Sequence, residues 1–412
     1  EQHVRAADAQ PGEPAGRVAR RDFERAVQRR QRVGRAGEQQ QGLAEVGQRQ
    51  HHVRLQLQRS FARLPRFLEP PLLAPQAQDV DGLVKQGFAL AASRFAGSGW
   101  NVKEGMQNTV ALTAAFRDLV GPPVKTVLWG RSMGGLLALG MIEKFPGLYD
   151  GAVALCPPAA GTPRRFDQGL DLALAYAVAF GWDPFWGSPG DLRDDLDFMN
   201  DVLPHIVRQM TPAKKGYWEF LRRVNRMPSD TFYIGTNRVV PLYFAMAARA
   251  ELENRAGGPV AGNIGRTYTL TDQDHLELAA MGVDSHALLA EMNARTDIAS
   301  LRNARNYVER YVDPDGRLDR PVLVLHTEGD ALATPHNEGA YRDTVERQGR
   351  GELLMQAFVA GGAHCTFTPD QEIAAIAAMM SWLDTRTRPD PSSFFPAALG
   401  FDPVFIPPSW PW

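Results

Sequence analysis

The chain has 412 residues, with 45 Lys and Arg against 47 Asp and Glu and a formal net charge of -2. Its 44% hydrophobic and 22% charged content is that of globular material, enough for one large domain with an insertion or for two domains. The near-neutral balance gives no ground for a nucleic-acid or anionic-membrane partner, and no apolar run nears the roughly 18–20 residues of a membrane span.

Residues 1–70 stand apart in composition. They hold fourteen Arg and eleven Gln but no Lys, Ile, Thr, Asn, Tyr, Trp or Met. Only Asp22 to Val33 has the makings of a short charged helix. So few large apolar groups cannot offset the entropy of ordering. Three readings compete: a disordered extension, an RNA-binding arm, or a stretch outside the native coding frame. Acidic residues such as Glu13, Asp22, Glu24, Glu38 and Glu45, with no Tyr or Trp, weaken the RNA arm. No function is assigned to residues 1–80.

From about Leu83 the pattern is regular. Gly87 to Ser93 reads as a strand and Glu104 to Leu119 as a helix. Val124 to Trp129 is a β-branched, apolar strand, and Gly135 to Phe145 is a helix stopped by Pro146-Gly147. Between them stands Gly130-Arg131-Ser132-Met133-Gly134, a G-x-S-x-G pentapeptide. Strand, glycine-flanked Ser, then helix is the pattern of a nucleophile elbow, in which small neighbours let strand and helix approach closely. The helix N-terminus would then direct free N–H groups at developing negative charge, with the Met133 N–H as one oxyanion donor.

Gly151 to Cys156 is the next strand, followed by Pro321 to His326 and Glu352 to Phe358, and a last helix spans Asp370 to Asp384. Strands alternating with helices predict a parallel sheet covered on both faces. The excursion between Cys156 and Pro321 is helical in pattern: Leu170 to Phe180, Asp194 to Met210, Lys215 to Val224, Pro241 to Arg255 and Ala287 to Tyr311. The expected division is therefore 1–80 atypical, 81–159 core, 160–316 helical cap, 317–390 core, and 391–412 an extended Pro- and aromatic-rich tail. Trp182, Phe185 and Trp186, near the start of the cap, and Arg131 in the elbow are candidates for substrate binding. Packing within the cap is an equally good reading of the three aromatics.

Acyl transfer by Ser132 needs a base and an acid to orient it. Asp330 follows the strand ending at His326, after Thr327-Glu328-Gly329, with Glu328 the nearest rival. His364 follows the last strand in a glycine-bearing loop, Ala360-Gly361-Gly362-Ala363-His364-Cys365. Both would lie at the carboxyl edge of the sheet, where the elbow emerges. The other histidines are worse placed: His205, His275 and His286 in the cap, His326 at a strand end and His336 at a helix start. No H-E-x-x-H, paired-Cys or G-x-x-x-x-G-K-[ST] pattern is present, so no metal and no cofactor are expected. Cys156, ending one strand, and Cys365, beside the expected base, are candidates for one disulfide.

With these motifs the chain resembles α/β-hydrolases of bacterial secreted type, close to feruloyl-esterase-like and prolyl-oligopeptidase-like hydrolases. The resemblance rests on Gly87 to Ala91, Trp129 to Gly135, Tyr149 to Ala152, Asp330 and Gly362 to Cys365, and covers roughly residues 83 to 390. It implies hydrolysis of a small-molecule carboxylic ester, or of a peptide as the alternative, in a secreted or periplasmic setting. Members of the group carry further strands and an oxyanion loop, often with His-Gly, upstream of Phe88. Here the Arg/Gln-rich segment occupies that place, so the N-terminal strands read as missing or replaced and a second oxyanion donor is not recognisable. An impaired catalyst or a non-catalytic binding protein on this fold is the remaining alternative.

Overall fold

A computed structural model describes residues 82–93, 99–233 and 235–411. Four strands, β1 (Val127–Arg131), β2 (Gly151–Leu155), β3 (Val322–Thr327) and β4 (Leu354–Val359), form one parallel sheet in the order β1-β2-β3-β4. Val127 pairs with Gly151, Ala152 with Val322, and Val322 with Leu354, so all four carboxyl ends reach one edge. Alternation within β2 and β3 shows why these strands read as continuous apolar runs. Ala152, Ala154, Val322 and Val324 face one core with helices α1 (Val102–Leu119) and α2 (Met133–Lys144). Val153, Leu155, Leu323 and Leu325 face a second core with Ile376, Met379 and Trp382 of the last helix.

The strand expected over Gly87 to Ser93 is a correction. No strand forms there, because Gly87 N–H donates to Val84 O and Phe88 N–H to Leu83 O. Those donors serve a turn rather than a ladder, and the Ala-rich run that follows has weak β preference. β1 starts at Val127 rather than Val124, since Val124 is fully exposed and Thr126 N–H donates to the Asp150 carboxylate.

Between β2 and β3 the chain leaves the sheet as a helical cap insertion. It comprises α3 (Thr162–Phe180), α4 (Leu203–Gln209), α5 (Lys215–Val224), α6 (Val240–Ala245) and α7 (Ala247–Ala256). It continues through α8 (Asp272–Ala280), α9 (Ser285–Asn293) and α10 (Arg302–Tyr311). Helix α3 is its spine, almost entirely buried and packed mainly on α5 and α6. The helix expected over Ala287 to Tyr311 is two helices, because buried Asn263 captures the backbone between them. Its amide donates to Arg295 O at 2.8 Å and its Oδ1 accepts from Ile298 N–H at 3.1 Å. Likewise the Pro241 to Arg255 helix breaks at Met246.

After β3 come α11 (His336–Arg347), β4 and α12 (Pro369–Thr385), the last opening with a capping box between Thr368 and Gln371. The tail then runs back along β4: Ala360 N–H donates to Gly400 O, and Asp402 N–H to Phe358 O. Phe395 and Phe401 are buried against each other and against the α12 core.

Candidate active site

The site is assembled from the carboxyl ends of β1, β3 and β4. Ser132 follows β1 directly, with φ 54° and ψ -122°, a backbone region that few non-glycine residues adopt. Its N–H donates to Leu155 O at 2.8 Å, and its C=O accepts from Leu136 N–H, so the turn is held on both sides. A side chain at Gly130 would strike the Gly134 backbone, and one at Gly135 would lie 3.0 Å from Leu155 O. Gly130 and Gly135 are therefore set by contact between β1, β2 and α2, whereas a side chain at Gly134 would meet nothing within 4 Å. The Met133 N–H opens α2, where first-turn amides have no intrahelical acceptor.

Asp330 lies three residues past β3 and is completely buried. Its Oδ1 accepts from the N–H groups of Leu332 and Ala333, both at 2.8 Å, leaving Oδ2 to face the histidines. His364 Nδ1 is 2.6 Å from that Oδ2, and His364 Nε2 is 2.8 Å from Ser132 Oγ. The residues named from the sequence thus stand in one hydrogen-bonded line. Burial opposes the Asp330 charge, but the neighbouring His364 and His326 hold its carboxyl well below the usual range.

The His364 loop is fastened at both ends. Gly361 and Gly362 have φ 66° and 75°, and Thr327 Oγ1 donates to Ala363 O at 2.8 Å. Cys365 is bonded to Cys156, with Cα atoms 5.4 Å apart. Among the described residues one cluster has the spacing of metal ligands, Cys156, His364 and Cys365, but its sulfurs are joined to each other and are not thiolates.

The four residues proposed for substrate binding differ in their surroundings. Arg131 forms a buried ion pair with Glu372 of α12. Trp186 is fully buried in the cap core, edge-on to Trp182 and near Tyr176. Trp182 donates through Nε1 to Gly187 O at 2.9 Å. Phe185 is 60% exposed under the Arg193 guanidinium. Residues 1–80, where the sequence offered no recognisable second oxyanion donor, lie outside the described residues.

Sequence reasoning passed over three groups beside Asp330. His326 and Glu338 are completely buried and hydrogen-bonded to each other. Arg165, in the first turn of α3, is buried near Asp330 and over the Phe244 ring. Burial lowers its pKa to about 10, partly offset by the Asp330 charge. No signal in the sequence marked the pairing; the first turn of α11 brings Glu338 to His326.

A parallel sheet, an elbow Ser leaving β1, and an Asp and a His arriving from later strands decide the architecture. The chain has the α/β-hydrolase fold. No protein-family profile matches the chain. Over 368 residues, 75% of this chain and 80% of the relative, it is 25% identical to the o-phthalyl amidase of Xanthobacter agilis. It is similar to feruloyl esterase B from Aspergillus oryzae at 17% identity and TM-score 0.34, over 70% of this chain and 66% of that one. An esterase from Aspergillus oryzae is matched at 16% identity and TM-score 0.35, over 71% and 68% of the two chains. No described helix is long and apolar enough to cross a membrane.

Proposed function

We propose that this protein is a serine hydrolase that cleaves small carboxylic esters through an acyl-enzyme on Ser132. The observation that carries this is the line Ser132 Oγ, His364 Nε2, His364 Nδ1, Asp330 Oδ2, with contacts of 2.8 and 2.6 Å. His364 takes the Ser132 proton as the hydroxyl oxygen adds to the ester carbonyl, and the Met133 N–H receives the developing oxyanion. Collapse of the tetrahedral adduct releases the alcohol, which takes the proton from His364. Water, activated by the same imidazole, then hydrolyses the acyl-enzyme and restores the Ser132 hydroxyl. Asp330 keeps the imidazole in the tautomer that leaves Nε2 free to accept.

A second reading, hydrolysis of amide bonds by the same steps, is favoured by the similarity to an enzyme named o-phthalyl amidase. The expected cap, residues 160–316, would set the choice in either case. A fluorophosphonate probe tests both readings at once: stoichiometric labelling at Ser132, lost in Ser132→Ala, is expected, and an unlabelled wild-type Ser132 removes both. Comparison of nitrophenyl esters with the matching anilides then separates ester from amide preference.

A further inference from the structure

One buried cluster of titratable groups touches the triad without a part in the steps above. His326 is the penultimate residue of β3, and Glu338 stands in the first turn of α11. Neither is solvent-accessible. His326 Nε2 lies 2.7 Å from Ala333 O and 3.3 Å from Asp330 Oδ2. His326 Nδ1 lies 3.0 Å from Glu338 Oε1. A peptide carbonyl can only accept, so Nε2 carries a hydrogen. Burial raises the Glu338 carboxyl, while its hydrogen bond to His326 and the charge of that ring oppose the rise. With Glu338 held ionised it only accepts, so Nδ1 needs a hydrogen too, and a neutral imidazole has a single N–H.

Asp330 Oδ2 is also the atom that accepts from His364. The two imidazoles therefore converge on one carboxylate oxygen, one from the end of β3 and one from the loop after the neighbouring β4. We propose that His326 is a positioning residue of the triad, an imidazolium clamped between Glu338 and the Ala333 carbonyl that shares Asp330 Oδ2 with His364. The inference rests on the proposed role of the Ser132–His364–Asp330 line and adds to it a fixed cation behind the acid.

The surroundings fit that charge. From α11, Glu338 supplies the counter-charge, and from β4 the amide of Gln356 donates to Glu338 Oε2 at 3.3 Å. Asp330 itself faces it from the loop after β3, His364 from the loop after β4, and Arg165 of α3 adds a second cation near Asp330. Burial pushes the His326 ring toward neutrality, but its bonds to Asp330 and Glu338 and their charges raise its pKa to about 10. Two backbone N–H groups on Oδ1, the His364 bond on Oδ2 and the His326 ring 3.3 Å from that same oxygen together hold the Asp330 carboxylate toward His364. The cation also offsets part of the Asp330 charge that His364 Nδ1 faces.

The experiment reads charge and catalysis separately. Histidine-selective 15N labelling of the intact protein at about pH 8.5, some two units above an ordinary imidazole, should show one histidine with both ring nitrogens protonated. Of the nine histidines, it should be the one lost in His326→Gln. Gln can still donate to Ala333 O but carries no charge, so the acidic limb of kcat/KM should move up by about half a pH unit or more. Should His326→Gln not fold, Glu338→Gln replaces it, and the doubly protonated signal should vanish there at the same pH. A wild-type spectrum with no such histidine, a signal that survives Glu338→Gln, or a His326→Gln enzyme with lowered kcat and an unmoved acidic limb overturns the proposal. Failure of the Ser132 reading shows differently, as absent fluorophosphonate labelling with the 15N spectrum intact.

Discussion

Cys365 is bonded to Cys156, and so the residue next to His364 is tied to the carboxyl end of β2, 209 positions earlier in the chain. The base of the proposed triad hangs from a loop whose other support is the end of β3. Any freedom the bond removes is freedom His364 would otherwise use to leave Ser132.

Reduction, or the paired replacement Cys156→Ala and Cys365→Ala, should therefore lower both stability and turnover. A loop of this length is worth roughly 2–5 kcal/mol, which for a folded region of this size corresponds to a fall of about 3–7 °C in the unfolding midpoint. Thermal unfolding with and without a thiol reductant checks it. A midpoint that does not respond would mean the link adds nothing to the folded state.

Replacement of Ser132 or His364 by Ala should each cost at least about 10³ in kcat, and the double variant little more, since the groups act as one unit. Asp330→Asn should cost about 10⁴, because the amide can donate to His364 Nδ1 and invert its tautomer. Steady-state rates on a nitrophenyl ester give the comparison. Additive losses would argue against a shared step.

Arg131→Leu should destabilise by about 3–5 kcal/mol, because it leaves Glu372 buried without its guanidinium. Its effect on KM should be small. Denaturant unfolding beside substrate titration separates the two. A large rise in KM with unchanged stability would return Arg131 to the substrate.

Stability should decline as the medium becomes alkaline. Burial, with repulsion from Asp315, raises the Glu143 carboxyl to about 7, and its native form holds a proton that the unfolded chain has released above about 4.5. That contribution is lost as pH rises toward 7. His326, raised to about 10, contributes below 6.5 and loses its contribution as pH rises through 10. Asp330 acts in the opposite sense, its share being lost in acid below the ordinary carboxylate range. Unfolding midpoints measured from about pH 5 to 10 should fall throughout, and a maximum above pH 8 would contradict this.

What the sequence disclosed follows from how local each signal is. The elbow needs five adjacent residues and close glycine packing, so Gly130 to Gly134 announce it without help. Asp330 and His364 were legible because each follows an apolar strand, and strand ends in a parallel sheet share one edge. His326 was not, because its chemistry depends on Glu338 and the Ala333 carbonyl, which only the turn after β3 brings to it. The break between α9 and α10 was equally hidden, since Asn263 acts from about 30 residues away. Gly87 to Ser93 had the composition of a strand but spends its first amides on a local turn. The aromatics at the start of the cap were ambiguous between packing and binding, and burial of Trp186 puts that ring among packing residues.

The tail running back along β4 has a consequence for how the molecule meets its neighbours. Val359 pairs with Phe401 in antiparallel sense, and Arg342 of α11 donates to Pro407 O farther along. An unpaired β4 would offer its outer row of amides and carbonyls to any extended peptide, a second copy of this chain included. The Pro-rich run after Phe405 has few amides to offer in turn. The tail thus closes the carboxyl end of β4, and a chain without it would be expected to associate through that end of the border.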